Sequence, residues 1–304
     1  MNAALASLAK RSLLGAGHYA RRLARARFPG VAVLCYHGVR DDGAPDAAMP
    51  FAPLHVRASE LDAHAALVRE TCEPIGLDRW REAESGGAPL PPRPVLFTFD
   101  DGYRSVWTLA RPILERHGIP AVAFVCSGAI RAARLHWYDA LARARGEDAV
   151  TRARALPSAA WRAVAGAVET QPAAADPAAL LGPGDLGRLA AAGFEIGGHS
   201  AEHAVLAQAS REEQREQIAR DKAQIEAWTG RPVRAFAYPF GEPGLDFTRD
   251  AVDLVAASGF DAAFTTRPGF ARPGGPALER PRFLMLAGVS SAELAHRLAY
   301  SWPR

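Results

Sequence analysis

Apolar residues along this chain come in short unbroken runs that stop abruptly, and between the runs they recur at helical spacing. Val31-Ala32-Val33-Leu34-Cys35-Tyr36 is the first run and predicts a buried strand ending at His37-Gly38. Pro94-Val95-Leu96-Phe97-Thr98-Phe99 predicts a second, ending in Asp100-Asp101-Gly102, and Ile119 to Cys126 a third. Phe194 to Gly198, Ala235 to Gly241, Phe260 to Thr266 and Phe283 to Leu286 supply four more. Helices are expected at 59–71, where Ser59 and Asp62 resemble a cap, and at 105–117, 210–229 and 248–258, with a shorter one at 186–192. Residues 130–185 read as an Ala/Arg-rich helical section. Strand, helix, strand at these spacings is a βαβ unit and implies a parallel sheet.

Six or seven strands alternating with helices fit a barrel better than an open sheet. The expectation is therefore an α/β fold, a distorted (β/α) barrel of about seven parallel strands in a single domain. It divides into a basic leader or helix at 1–30, the barrel at 31–290 with a helical insertion at about 130–185, and a C-terminal helix or tail at 291–304. A chain of 304 residues, 49% hydrophobic, is long enough for one such core.

Charge narrows the function. The formal net charge is +3, yet residues 1–30 carry Lys10, Arg11, Arg21, Arg22, Arg25 and Arg27 and no acid, leaving the body net negative. A nucleic-acid binder carries its positive charge on the folded body, so none is expected here. With two lysines against an excess of arginines, basic clusters also reflect composition. Two readings of the leader stay open. One is a solvated segment; the other is a basic amphipathic helix over 3–27 making peripheral contact with an anionic membrane surface. No transmembrane run and no clear signal peptide is recognisable. Cys35, Cys72 and Cys126 are odd in number and lack Cys-x-x-Cys spacing, which argues against disulfides and thiolate zinc sites.

The chemistry gathers where runs end. Two adjacent carboxylates at a strand exit repel each other, and a divalent cation offsets that charge, with one Asp as ligand and one free as base. An ordinary Asp-Gly turn is the plain alternative. His199-Ser200-Ala201-Glu202-His203 places two imidazoles at i and i+4, able to share an ion if a helical turn follows the glycines. The same five residues match the His-x-x-Glu-His pattern of a metallopeptidase, which needs a long helix and a third ligand downstream.

Thr98-Phe99-Asp100-Asp101-Gly102 together with His199-Ser200-x-x-His203 resembles the polysaccharide deacetylases, the NodB-homology group of carbohydrate esterase family 4. Ala237-Tyr238-Pro239-Phe240-Gly241 is similar to the third motif in the Tyr-Pro-aromatic-Gly branch. The resemblance implies Asp100 as general base and Asp101, His199 and His203 as ligands of a divalent metal, zinc foremost, with cobalt or nickel possible. It implies the Phe240 backbone N–H as an oxyanion donor. Many relatives hold the base with an Arg where this chain has Ala237, so Asp100 must be oriented otherwise. Many also carry a C-terminal Leu-x-His as general acid. Here His296 looks like a surface residue, whereas Tyr36-His37 resembles a permuted branch and makes His37 the candidate acid. Trp80, Trp137 and Tyr138 are candidate stacking surfaces for a sugar, or simply core.

The implied activity is removal of N-acetyl groups from an amino-sugar polymer or its lipid-linked precursor. The implied setting is bacterial, cytoplasmic or peripheral at the cell envelope. An O-acetyl esterase acting on xylan-like glycans and a glycan-binding member without turnover are the alternatives.

Overall fold

The computed structural model describes residues 3–45, 49–173 and 176–301. Two helices, α1 (Ala3–Gly15) and α2 (His18–Ala24), precede strand β1 (Val31–Tyr36). Short strands β2 (Gly38–Arg40) and β3 (His55–Arg57) pair with each other, followed by α3 (Ala58–Thr71), β4 (Glu73–Pro74) and α4 (Leu77–Glu84). Next come β5 (Pro94–Phe99), α5 (Arg111–His117) and β6 (Ala121–Val125). The section after β6 folds as α6 (Ser127–Ala132), α7 (Trp137–Arg145), α8 (Glu147–Arg154) and α9 (Ser158–Gly166), and α10 (Pro183–Ala191) leads into β7 (Phe194–Gly198). The remainder is α11 (Arg211–Thr229), β8 (Ala235–Ala237), α12 (Arg249–Ala257), β9 (Ala262–Phe264), β10 (Phe270–Ala271), β11 (Phe283–Leu284) and α13 (Ser291–Tyr300). Residues 302–304 of the expected tail lie outside the described residues.

The sheet runs β10-β1-β5-β6-β7-β8-β9. Its strands are parallel except for β10, which lies antiparallel to β1. The sheet curls until its two edges share one segment. Phe264 of β9 forms a parallel bridge with Arg280, and β11 runs parallel to β1 with Leu34 opposite Phe283. Arg280 N–H donates to the Ala263 carbonyl at 2.8 Å, and Met285 N–H to the Cys35 carbonyl at 2.9 Å. Residues 280–285 thus close the distorted barrel that the strand pattern predicts.

Alternation along the strands sorts the side chains into two cores. Val31 and Val33, Leu96, Val122 and Phe124, Ala235 and Ala237, and Ala262 and Phe264 form one cluster inside the barrel. Their neighbours, among them Leu34, Phe97, Val125, Ile196 and Phe236, pack outward against the helices. The inward side of β5 continues through Thr98 to Asp100, so the pleat delivers that carboxylate to the barrel axis. Gly197 is needed in this interior because a Cβ there would stand 2.4 Å from the Phe124 ring. Trp80 of α4 is 2% exposed, packs edge-on against Phe264 and belongs to this inner cluster. It is therefore core and not a sugar platform.

Helix ends largely follow local chemistry. Ser210 caps α11 in reciprocal bonds with Glu213, and Gly118 ends α5 at φ 61°. The Ser59/Asp62 cap does not form. The Arg57 N–H bonds Glu60 instead at 2.8 Å, Ser59 donates to Asp42 at 2.7 Å, and Asp62 pairs with Arg116 and His117.

Candidate active site

Four chain segments leave parallel strands at the same end of the barrel, carrying His37, Asp100-Asp101, His199 to His203, and Tyr238 to Phe240. Asp101 has φ 75°, a left-handed conformation that costs a non-glycine residue energy and turns its side chain out of the β5 alternation. One of its oxygens lies 3.3 Å from Nε2 of His199 and 3.3 Å from Nε2 of His203. The ligand atoms of all three residues lie within 4.8 Å of one another, and all three are buried. The two histidines do not ride on a helical turn. They sit on a loop in which Ser200 (φ 60°) and His203 (φ 52°) are both left-handed. Without the long helix, the metallopeptidase reading lapses, and Glu202 turns instead to Arg134, Arg162 and Gln217.

These residues fit a cation. His199 donates from Nδ1 to the Ala237 carbonyl at 2.7 Å, which leaves its Nε2 lone pair facing Asp101. The facing Asp101 oxygen is buried without an aligned hydrogen bond among the described residues. Burial would raise the Asp101 pKa, but the two imidazoles outweigh it and hold the carboxyl well below its ordinary range. Donors about 2.1 Å from one tetrahedral ion stand roughly 3.4 Å apart, close to the spacing seen here. Two imidazoles and a carboxylate suit zinc or a neighbouring transition ion.

The buried shell behind the ligands is extensive. Asp221 of α11 accepts the His199 N–H and the Ser127 N–H, both at 2.8 Å, and burial raises its pKa to about 6. Trp137 Nε1–H donates to the His203 carbonyl at 3.1 Å, and the ring nitrogen of His136 bonds the Asp101 carbonyl at 2.9 Å. Trp137 is thus a buried support, while Tyr138 lines the pocket.

Asp100 stands apart from the ligand set. Both its oxygens accept hydrogen bonds at 2.7 Å from the guanidinium of Arg282, which is 0% exposed at the centre of the barrel. Arg282 also donates to Thr98 Oγ1 at 3.3 Å and to the Thr265 carbonyl at 2.9 Å. Burial pushes the Asp100 pKa up, the Arg282 charge pulls it down, and the net result is a lowered value. Arg282 thus orients Asp100 in a chain that has Ala237 at the third motif. In sequence it is one arginine among many, and no motif marks it. His37, Cys35 and Asp100 also cluster, but burial holds the Cys35 thiol well above its usual pKa, and Arg282 already occupies Asp100.

A cavity of about 190 Å³ opens over these residues, with His37, Asp100, Asp101, His199, His203 and Phe240 in its walls. His37 is half-buried, with no hydrogen-bond partner for Nδ1 among the described residues. Phe240 has φ 58°; its ring lies edge-on to His203 at 4.7 Å, and its N–H finds no acceptor among the described residues. The helical insertion completes the wall through Tyr138, Val150, Thr151 and Arg154. Arg154 forms a two-pronged pair with buried Asp246, 2.6 and 2.5 Å, and lies 4.6 Å over the Phe240 ring. His296 is remote from the pocket, wedged between Tyr19 and Tyr300.

The family model for polysaccharide deacetylases matches residues 87–263. A 94-residue stretch is 39% identical to the poly-β-1,6-N-acetyl-D-glucosamine N-deacetylase of Escherichia coli, covering 31% of this chain but only 13% of that protein. Among solved structures, Streptococcus pyogenes deacetylase PplD in complex with acetate superposes with TM-score 0.67 at 18% identity, covering 88% of this chain and 98% of that one. IcaB from Ammonifex degensii gives 0.64 at 20% identity, with 89% and 97% covered. The BpsB deacetylase domain from Bordetella bronchiseptica gives 0.61 at 22%, with 84% and 96% covered. At these identities the structural likeness is one of fold.

Proposed function

The chain belongs to the polysaccharide deacetylase family, and on that premise we propose that it is a metal-dependent hydrolase removing N-acetyl groups from an amino-sugar polysaccharide or its lipid-linked precursor. The observation that carries the proposal is the meeting of Asp101, His199 and His203 within 4.8 Å, beside an independently held Asp100. The N-deacetylase named for the Escherichia coli relative favours an amide substrate over an ester.

Asp101, His199 and His203 would hold the ion, most naturally zinc, with cobalt or nickel as substitutes. When bound, such an ion acidifies a water and polarises the acetyl carbonyl. Asp100, ionised at neutral pH through Arg282, accepts the proton of the water that adds to the carbonyl carbon. Both its oxygens are tied to Arg282, and Oδ2 also accepts from the Cys35 thiol, so Oδ1 is the oxygen that keeps a lone pair for that proton. The Phe240 N–H donates to the oxygen as negative charge develops there. His37 then protonates the sugar nitrogen as the C–N bond breaks, leaving acetate and a free amine.

The test is to assay metal-reconstituted protein for free amine and acetate on β-1,6- and β-1,4-linked N-acetylglucosamine oligomers and on acetylated xylan. Amine release that Asp100→Asn abolishes while the protein still binds metal is the expected outcome. Acetate from xylan alone would select the esterase reading. Glycan binding without turnover by the metal-loaded protein would overturn the hydrolase.

A further inference from the structure

Large apolar side chains exposed on this molecule are not scattered. Among the described residues they are Leu5, Leu8, Leu13, Leu245 and Tyr300, and all but Leu245 lie on α1 or at the end of α13, which packs against α1 and α2. Leu5 is 60% exposed and Leu8 62%. With about 100° between successive helical residues, Leu8, Ser12, Leu5, Ala9 and Leu13 fall within an arc of about 140°. Arg11 borders that arc on one side and Lys10 on the other. Leu14, on the opposite side of the helix, packs against the core. The outward stripe is therefore additional to the one that holds the helix in place.

The leader is also fixed to the body. Tyr19 and Leu23 of α2 are fully buried. Arg22 stacks 4.2 Å over Tyr300 and donates to the Ala299 carbonyl at 2.9 Å, and Lys10 pairs with Glu293. Arg11 beside the stripe, and Arg21, Arg25 and Arg27 on and just after α2, are exposed, and residues 1–30 contain no acid to neutralise them.

An apolar stripe bordered by Arg11, in a leader rich in exposed arginines on a body of opposite net charge, matches a surface that is apolar beneath and anionic above. We propose that α1 and α2 form a docking surface for an anionic lipid bilayer, with Leu5, Leu8 and Leu13 entering the interface and the arginines meeting headgroup phosphates. No described helix is long and apolar enough to cross a membrane, so the attachment is peripheral and reversible. Because α2 is built into the fold, docking orients the whole barrel instead of merely tethering it. The inference does not depend on the enzymatic reading.

The experiment is flotation of the full chain with vesicles of phosphatidylcholine alone or mixed with phosphatidylglycerol, at low and high salt. Binding should require the anionic lipid and weaken as salt rises. Leu5→Ser/Leu8→Ser should lower the vesicle partition coefficient about tenfold or more with little change in melting temperature, since most of each side chain is already in water. Arg11→Gln/Arg25→Gln should weaken binding without affecting the fold. Equal partitioning onto neutral vesicles, or no loss in the leucine variant, would overturn the proposal. So would a dimer in solution that the leucine variant converts to monomer, because the stripe would then be a self-association face.

Discussion

Arg282 and Asp100 meet side-on inside the barrel, two nitrogens against two oxygens at 2.7 Å each, 182 residues apart in sequence. A guanidinium in an apolar interior and a carboxylate at its rim each offset the other's desolvation, and removing one strands its partner. Arg282→Met should therefore destabilise the fold by about 3–5 kcal/mol. Arg282→Lys keeps the charge but loses the two-pronged geometry and should cost less. In either variant the Asp100 pKa climbs, since burial is no longer opposed as strongly, and the acidic limb of the deacetylation pH profile should move to higher pH. An unmoved limb would separate Asp100 from the rate-governing proton transfer.

Loading of the Asp101 site should be visible without any turnover. A ligand that binds only the folded state stabilises it by about 2.7 kcal/mol at a hundredfold excess over its dissociation constant. Zinc should raise the melting temperature of the apo protein and of Asp100→Asn, and should leave Asp101→Ala and His203→Ala unmoved. A shift retained in Asp101→Ala would place the ion elsewhere.

Trp137→Phe removes the indole N–H that holds the His203 carbonyl, while keeping an aromatic ring against Trp161. His203 sits at φ 52° and depends on such restraints. Metal affinity, measured by competition with a chromophoric chelator, should fall about tenfold. Stability should fall by only about 1 kcal/mol.

Acid should weaken the fold well before the paired carboxylates protonate. Burial lowers the pKa of His55 to about 3 and those of His64 and His136 to about 4. The unfolded chain takes up these protons near pH 6.5, so their contribution is complete above that value and is lost as pH falls. Each group accounts for about 1.4 kcal/mol per pH unit within its window. Asp221, raised to about 6, has the opposite sign between there and its ordinary 3.8, and so do Asp139 and Asp246, whose pKa values burial also raises; these carboxyls offset part of the histidine contribution. Urea midpoints should drop on going from neutral pH to about pH 5. His64→Gln, remote from the site and bonded to Tyr36 and Val289, should flatten the slope. A slope unchanged in that variant would refute the assignment.

The strands were legible because buried parallel strands are written as continuous apolar runs, and each run from Val31 to Phe283 became one. Asp100, Asp101, His199 and His203 could be singled out as candidates because polar residues at the ends of such runs have no packing reason to be there. Arg282 was not legible: it stands in a proline- and arginine-rich stretch, and its importance arises only when that stretch shuts the barrel. The helical turn expected at His199 failed because left-handed Ser200 and His203 are imposed by tertiary partners, among them Trp137, Asp221 and Gln217. The insertion read as generic helix, and nothing in its composition announced Arg154 or Tyr138 as pocket wall.

The shared seam at residues 280–285 sets an order of events for the growing polypeptide. Asp100, Asp101, His199 and His203 are synthesised before the stretch that bears Arg282, so a nascent or C-terminally clipped chain carries Asp100 without its counter-charge. Only when that late segment slots between the first and the penultimate parallel strands does the carboxylate gain a mate. Closing the architecture and pairing Asp100 with its counter-charge are thus a single step.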